Sequence, residues 1–138
     1  MSRPLRALLL AAGLGTRLRP ITLRIPKCLV QIHGEPLLGR WLRQLEAAGC
    51  DAVLINTHYL EEQVEAFLQE RLPSAMDVQT INEPKLLGTA GTLIANSAFF
   101  ENATGLLIHA DNAMAGDLKG LLGAHSSRPM LCLLTMLT

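Results

Sequence analysis

Short apolar runs alternate along this chain with segments of helical period, and that alternation narrows its architecture to one kind. Leu5–Ala11 is a continuous apolar run broken only by Arg6, the pattern of a central strand buried on both faces. Residues 37–48 then place Leu37, Leu38, Trp41, Leu42, Leu45 and Ala48 at helical spacing, and Gly49 follows as a stop. A second strand is expected over Asp51–Asn56. A second helix carries Leu60, Val64, Phe67 and Leu68 and stops before Pro73. Residues 76–81 read as a third strand, 88–100 as one helix entered through glycines, and 105–109 as a fourth strand ending just before Asp111. A helix over 116–125 and an almost wholly apolar strand over 130–137 complete the order β-α-β-α-β-α-β-α-β. Such alternation predicts a mostly parallel sheet with helices on both faces. Ligands of such sheets bind beyond the carboxyl ends of the strands. The segment after the first strand and Asp111 after the fourth both fall there.

The length of 138 residues suits one domain, taken as residues 1–138. Hydrophobic residues make up 49% and charged residues 17%, which excludes a disordered chain. Lys plus Arg and Asp plus Glu each number 12, so there is no broad basic field, and neither nucleic acid nor membrane is an expected partner. The basic residues nevertheless gather early. Arg3, Arg6, Arg17, Arg19, Arg24 and Lys27 all precede the first acid, Glu35, which points to a small anionic ligand. The apolar run Ala7–Ala12 is shorter than the roughly 7–15 residues of a signal sequence. Cys28, Cys50 and Cys132 are odd in number and form no C-x-x-C pair. Reduced thiols and a cytoplasmic location are the expectation.

The stretch AAGLGTRLRPITLRIPKCLV, residues 11–30, is the chemical centre of the sequence. Gly13 and Gly15 let backbone N–H groups approach a ligand and point at phosphate oxygens. Arg17 offers a fork of donors that matches phosphate, Pro20 and Pro26 stiffen the path, and Lys27 returns a second cation to it. The loop reads as a polyphosphate cradle. It lacks the G-K-[ST] of one well-known cradle, and Leu18 stands where a dinucleotide fingerprint needs its third glycine. By itself Asp111 could be a helix N-cap, and Glu83 a turn residue before Pro84. The four histidines lack metal-ligand spacing, and Cys28 reads as packing.

Residues 8–38, LLLAAGLGTRLRPITLRIPKCLVQIHGEPLL, resemble the opening signature of the sugar-1-phosphate nucleotidyltransferases. The matching positions are Gly13, Gly15, Thr16, Arg17, Leu18, Pro20, Thr22, Pro26, Lys27, Gly34 and Pro36. NEPKLLGTAGTL is similar to that family's base-recognition segment, and LLIHADN to the strand that delivers its metal-binding aspartate. The resemblance implies a Rossmann-like α/β/α fold and transfer of a nucleotidyl group from a nucleoside triphosphate to a sugar 1-phosphate. Arg17 and Lys27 would be catalytic, and Asp111 would hold Mg²⁺. Ala11, Ala12, Gly13, Gly15, Thr16, Glu83, Gly88 and Thr89 would bind the nucleotide. The family's sugar-binding portion is expected to lie outside these residues. A nucleotide-binding or regulatory module that does not react is therefore the second expectation. The apolar run at 130–137 further calls for a cover, either a second copy or a partner chain.

Overall fold

The computed structural model describes residues 2–71 and 73–127. Strand β1 (Leu5–Leu10) is followed by three single 3₁₀ turns, Thr16–Leu18, Ile21–Leu23 and Lys27–Leu29. A short hairpin of β2 (Gln31–Ile32) and β3 (Glu35–Pro36) leads into α1 (Leu37–Ala47). Then come β4 (Ala52–Thr57), α2 (Glu61–Gln69), β5 (Asp77–Asn82), α3 (Gly88–Ala95), β6 (Thr104–His109) and α4 (Leu118–Ser127). The main sheet runs β5-β4-β1-β6, with every pair parallel. This is the expected α/β fold with a parallel sheet.

Side chains alternate along a strand, so the sheet has two distinct faces. Ala7, Leu9, Val53, Ile55 and Ile108 share one core with Leu38, Trp41, Leu42 and Leu45 of α1, Val64 of α2 and Leu118 of α4. Asn56, one residue on from Ile55, turns to the other face and meets Thr92 of α3. Hence α1, α2 and α4 cover one face and α3 the other. Leu8 and Leu54 are buried on that second face, whereas Leu107 and Ile81 stay partly open.

Local chemistry explains most element ends. Helix α1 closes in a Schellman turn: Gly49 at φ 80° donates to the Glu46 carbonyl, and Cys50 donates to that of Leu45. Asp117 Oδ1 accepts the Gly120 N–H and so caps α4, two residues later than expected. The single helix expected over 88–100 is broken. Asn96 leaves helical geometry at φ −113°, its side chain donates to the Thr92 carbonyl, and a separate 3₁₀ turn follows at Ser97–Phe100. The hairpin is an addition to the expected elements. His33 and Gly34, both at positive φ, form its two-residue turn. The strand expected over 130–137 lies outside the described residues, as does Cys132.

The core argument carries a stability prediction. Leu42 is fully buried between α1 and the sheet, whereas Ile94 is 72% exposed. Leu42→Ala should cost about 2–5 kcal/mol, and Ile94→Ala less than about 0.5 kcal/mol. Urea unfolding of the two variants against the parent checks the contrast.

Candidate functional site

A cleft of about 230 Å³ opens beyond the carboxyl ends of β1, β4 and β6. One wall is the chain leaving β1, from Leu10 through Ala11, Ala12 and Gly13. The opposite wall is the connection into α3, with Leu86, Gly88 and Thr89. Lys27, Cys28, His109 and Asp111 line it further, and Asn56, Glu83 and Thr92 complete the lining.

The glycine segment turns sharply at Gly15, which adopts φ 64° and ψ 25°. A Cβ there would stand 2.7 Å from Thr22 Cγ2, so both backbone and space demand glycine. The buried Thr22 hydroxyl donates back to the Gly15 carbonyl at 2.5 Å. This folds the segment onto itself. Pro26, fully buried, then starts the turn that carries Lys27.

Two charged arrangements stand in the cleft. Lys27 Nζ meets Asp111 Oδ2 at 2.5 Å, joining the glycine segment to the end of β6. Behind Asp111, Trp41 Nε1 donates to the Asn112 carbonyl at 2.8 Å, and Gln44 Nε2 to that of Met114 at 3.0 Å. Helix α1 therefore braces the loop after Asp111. The second arrangement surrounds Glu83, which is 4% exposed. Its Oε1 accepts from the Thr92 hydroxyl and from Asn56 Nδ2, and its Oε2 accepts the Leu87 N–H at 3.2 Å. Burial pushes the Glu83 pKa up. The three hydrogen bonds and the nearby His58 outweigh burial and hold it below the usual carboxylate range. The Cys28 thiol behaves oppositely. Burial foremost pushes it up to about 12, so it stays protonated and packs.

The matching family profile, described as nucleotidyl transferase, aligns with residues 6–137. The chain belongs to this family. It is 32% identical over 121 residues to the mannose-1-phosphate guanylyltransferase of Mycobacterium tuberculosis, covering 88% of this chain and 34% of the relative. It is 46% identical over 68 residues to the N-acetylmuramate alpha-1-phosphate uridylyltransferase of Caulobacter vibrioides, covering 49% of this chain and 28% of the relative. The crystal structure of HddC from Yersinia pseudotuberculosis complexed with GMP-PN superposes with a TM-score of 0.74 at 28% identity, over 87% of this chain and 53% of HddC. The chain thus spans about a third of these curated relatives' length.

Within this nucleotidyl transferase chain, the cleft gathers Ala11, Ala12, Gly13, Lys27, Glu83, Gly88, Thr89 and Asp111 from the residues that sequence singles out. Gly15, Thr16 and Arg17 lie outside its lining, with Arg17 exposed on the first 3₁₀ turn. Asp111 caps no helix, since Asp117 fills that position. Glu83 lines the cleft, but both its carboxylate oxygens already have partners within the protein. Sequence reasoning misses Asn56, Thr92, Trp41 and Gln44. For Asn56 a signal exists: a polar residue closing an otherwise apolar strand.

The lowered Glu83 pKa has a testable sign. A depressed carboxyl contributes stability that is whole above its unfolded pKa of about 4.3. That contribution drains away as pH falls through the folded value. The Tm advantage of the parent over Glu83→Gln should be largest near neutrality and shrink as pH is lowered toward about 3. Thermal melts across that range check it, and a gap independent of pH would contradict an ionised Glu83.

Proposed function

We propose that this chain is the nucleotide-binding portion of an enzyme that joins a nucleoside triphosphate to a sugar 1-phosphate and releases pyrophosphate. The observation that carries the reading is the Lys27–Asp111 pair, set in a cleft walled by the backbone of Ala11–Gly13 and Gly88–Thr89. A cation and a carboxylate side by side, with backbone donors around them, suit a polyphosphate and its counter-ion.

In the reaction a phosphate oxygen of the sugar 1-phosphate attacks the α-phosphorus. The bond from α-phosphorus to the bridging oxygen breaks, and that oxygen leaves with pyrophosphate. No protein nucleophile is required, so positioning and electrostatics carry the catalysis. Lys27 would bind the α-phosphate and the incoming phosphate, in exchange for its present partner Asp111. Arg17, on the exposed outer turn, would hold the departing pyrophosphate. The N–H groups at Gly13, Gly15, Thr16, Gly88 and Thr89 would face the nucleotide, together with Ala11, Ala12 and the Glu83 segment.

Asp111 is a lone carboxylate: no group of three His, Cys, Asp or Glu side chains stands together among the described residues. That donor set fits Mg²⁺ only as a complex with nucleotide phosphates, which supply the remaining oxygens. Bound in this way, Mg²⁺ would neutralise phosphate charge. The guanylyltransferase similarity and the GMP-PN complex of HddC support guanine as the base. A nucleoside triphosphate substrate and the buried free thiols of Cys28 and Cys50 support a cytoplasmic setting.

The test is pyrophosphate release by the purified chain with Mg²⁺, over GTP, dTTP, UTP, CTP and ATP and the 1-phosphates of mannose, glucose and N-acetylglucosamine. Release with one pair names the substrates. Nucleotide binding without release from a folded sample favours the binding-module reading. In an active protein Arg17→Ala should lower turnover by about 10²–10³-fold. Its Tm should stay unchanged, because the side chain is exposed.

A further inference from the structure

The two walls of the cleft come from distant parts of the chain, and one buried amide ties them together. Asn56, at 4% exposure, sits near the carboxyl end of β4. Its Oδ1 accepts the Ala11 N–H at 2.7 Å, on the β1 wall. Its Nδ2 donates to Glu83 Oε1 at 3.1 Å. Glu83 in turn accepts the Leu87 N–H, just ahead of Gly88 on the opposite wall. Thr92, 1% exposed, closes the network by donating to Glu83. The peptide between Leu10 and Ala11 is thereby pinned on both sides. Its carbonyl accepts from Ala110 N–H at 3.1 Å, and its N–H is held by Asn56.

We propose that Asn56 is a positioning residue for nucleotide binding, setting the spacing and orientation of the two backbone walls through Ala11 and Glu83. The inference rests on the nucleotide-binding reading above. Its chemistry is directional. The Ala11 N–H fixes which end of the amide is the acceptor, so the donor end must face the Glu83 carboxylate. Asn56→Asp would set two carboxylates against each other. Asn56→Leu would leave the Ala11 N–H without a partner and Glu83 Oε1 with the Thr92 hydroxyl alone. Exchanging the two groups, in N56D/E83Q, restores the Ala11, Leu87 and cross-strand contacts, with the Thr92 hydroxyl turning from donor to acceptor. The carboxylate introduced on β4 would accept from Ala11. The amide introduced opposite it would donate to that carboxylate and accept from Leu87.

The experiment measures binding of Mg²⁺-GTP, then of the UTP and dTTP complexes, to the parent chain, N56L, N56D, E83Q and N56D/E83Q. Amide hydrogen exchange is followed in the absence of nucleotide. The expected result is a loss of affinity of about 10–100-fold in N56L and N56D, the scale of a small misplacement of binding groups. Ala11 and Leu87 should exchange faster in N56L, with the interior of β1 unchanged. In the double variant, affinity should recover most of the loss. In an active protein the loss should fall on KM for the triphosphate and leave kcat nearly unchanged. A folded N56L that binds as the parent does overturns the inference. So does a double variant no better than N56D, which decides the matter even if N56L does not fold. A parent chain that binds none of the three triphosphates removes the nucleotide reading itself, and the inference with it.

Discussion

The cleft depends on the parallel register of β1 between β4 and β6. Leu10 stands opposite both Asn56 and His109, and Asn56 stands opposite Ile81. All four strands therefore end at one level and on one side. Ala11, Glu83 and Asp111, far apart in sequence, leave their strands into the same space. One further rung on each flank guides them: Ala110 donates to the Leu10 carbonyl, and Glu83 donates to that of Thr57. What protects this register is the aliphatic core. Leu9, Ile55 and Ile108 all point into it. A slip of one residue would turn each of them to the other face. Packing on one side of the sheet thus sets the chemistry at its end.

Charge in the cleft is arranged before any ligand arrives. Lys27 is paired with Asp111, and the Glu83 carboxylate is saturated by a hydroxyl, an amide and a backbone N–H. The two arrangements differ in kind. Lys27 and Asp111 are each about a third exposed, so a phosphate can compete for Lys27 and a cation or water for Asp111. Glu83 is nearly inaccessible, and giving up its partners would leave a buried charge unmet. The first pair is suited to exchange and the second to holding shape. Arg17 belongs to neither. Its exposed turn keeps it outside the cleft lining, where it could meet the far end of a long anion.

The elements legible in sequence are those whose cause is local. The run Leu5–Leu10, the helical stripe of α1 with its Gly49 stop, and the glycine turn at Gly15 each announce themselves within a few residues. Asp111 is legible because a strand end precedes it. The break in the helix expected over 88–100 is not: it depends on the Asn96 side chain choosing the Thr92 carbonyl, a choice that propensity alone does not reveal. The hairpin escapes because its strands are two residues long, below any detectable alternation.

Side chains that act at a distance are the least legible part of the site. Trp41 and Gln44 look like ordinary members of the α1 stripe, yet their polar ends reach carbonyls about seventy residues away. Asn56 looks like the frayed end of an apolar strand, yet its partners lie 45 and 27 residues off. Glu83 is the instructive case, because its pattern is legible and its partners are not. A motif position can be demanded by the ligand or by the loop that meets the ligand. Here the carboxylate is spent on the loop, holding Leu87 and Asn56. Glutamine would keep the length but reverse the polarity at one oxygen, and aspartate would keep the charge but fall short. The wall it supports, not a contact of its own, is sufficient physical reason for a glutamate at this place.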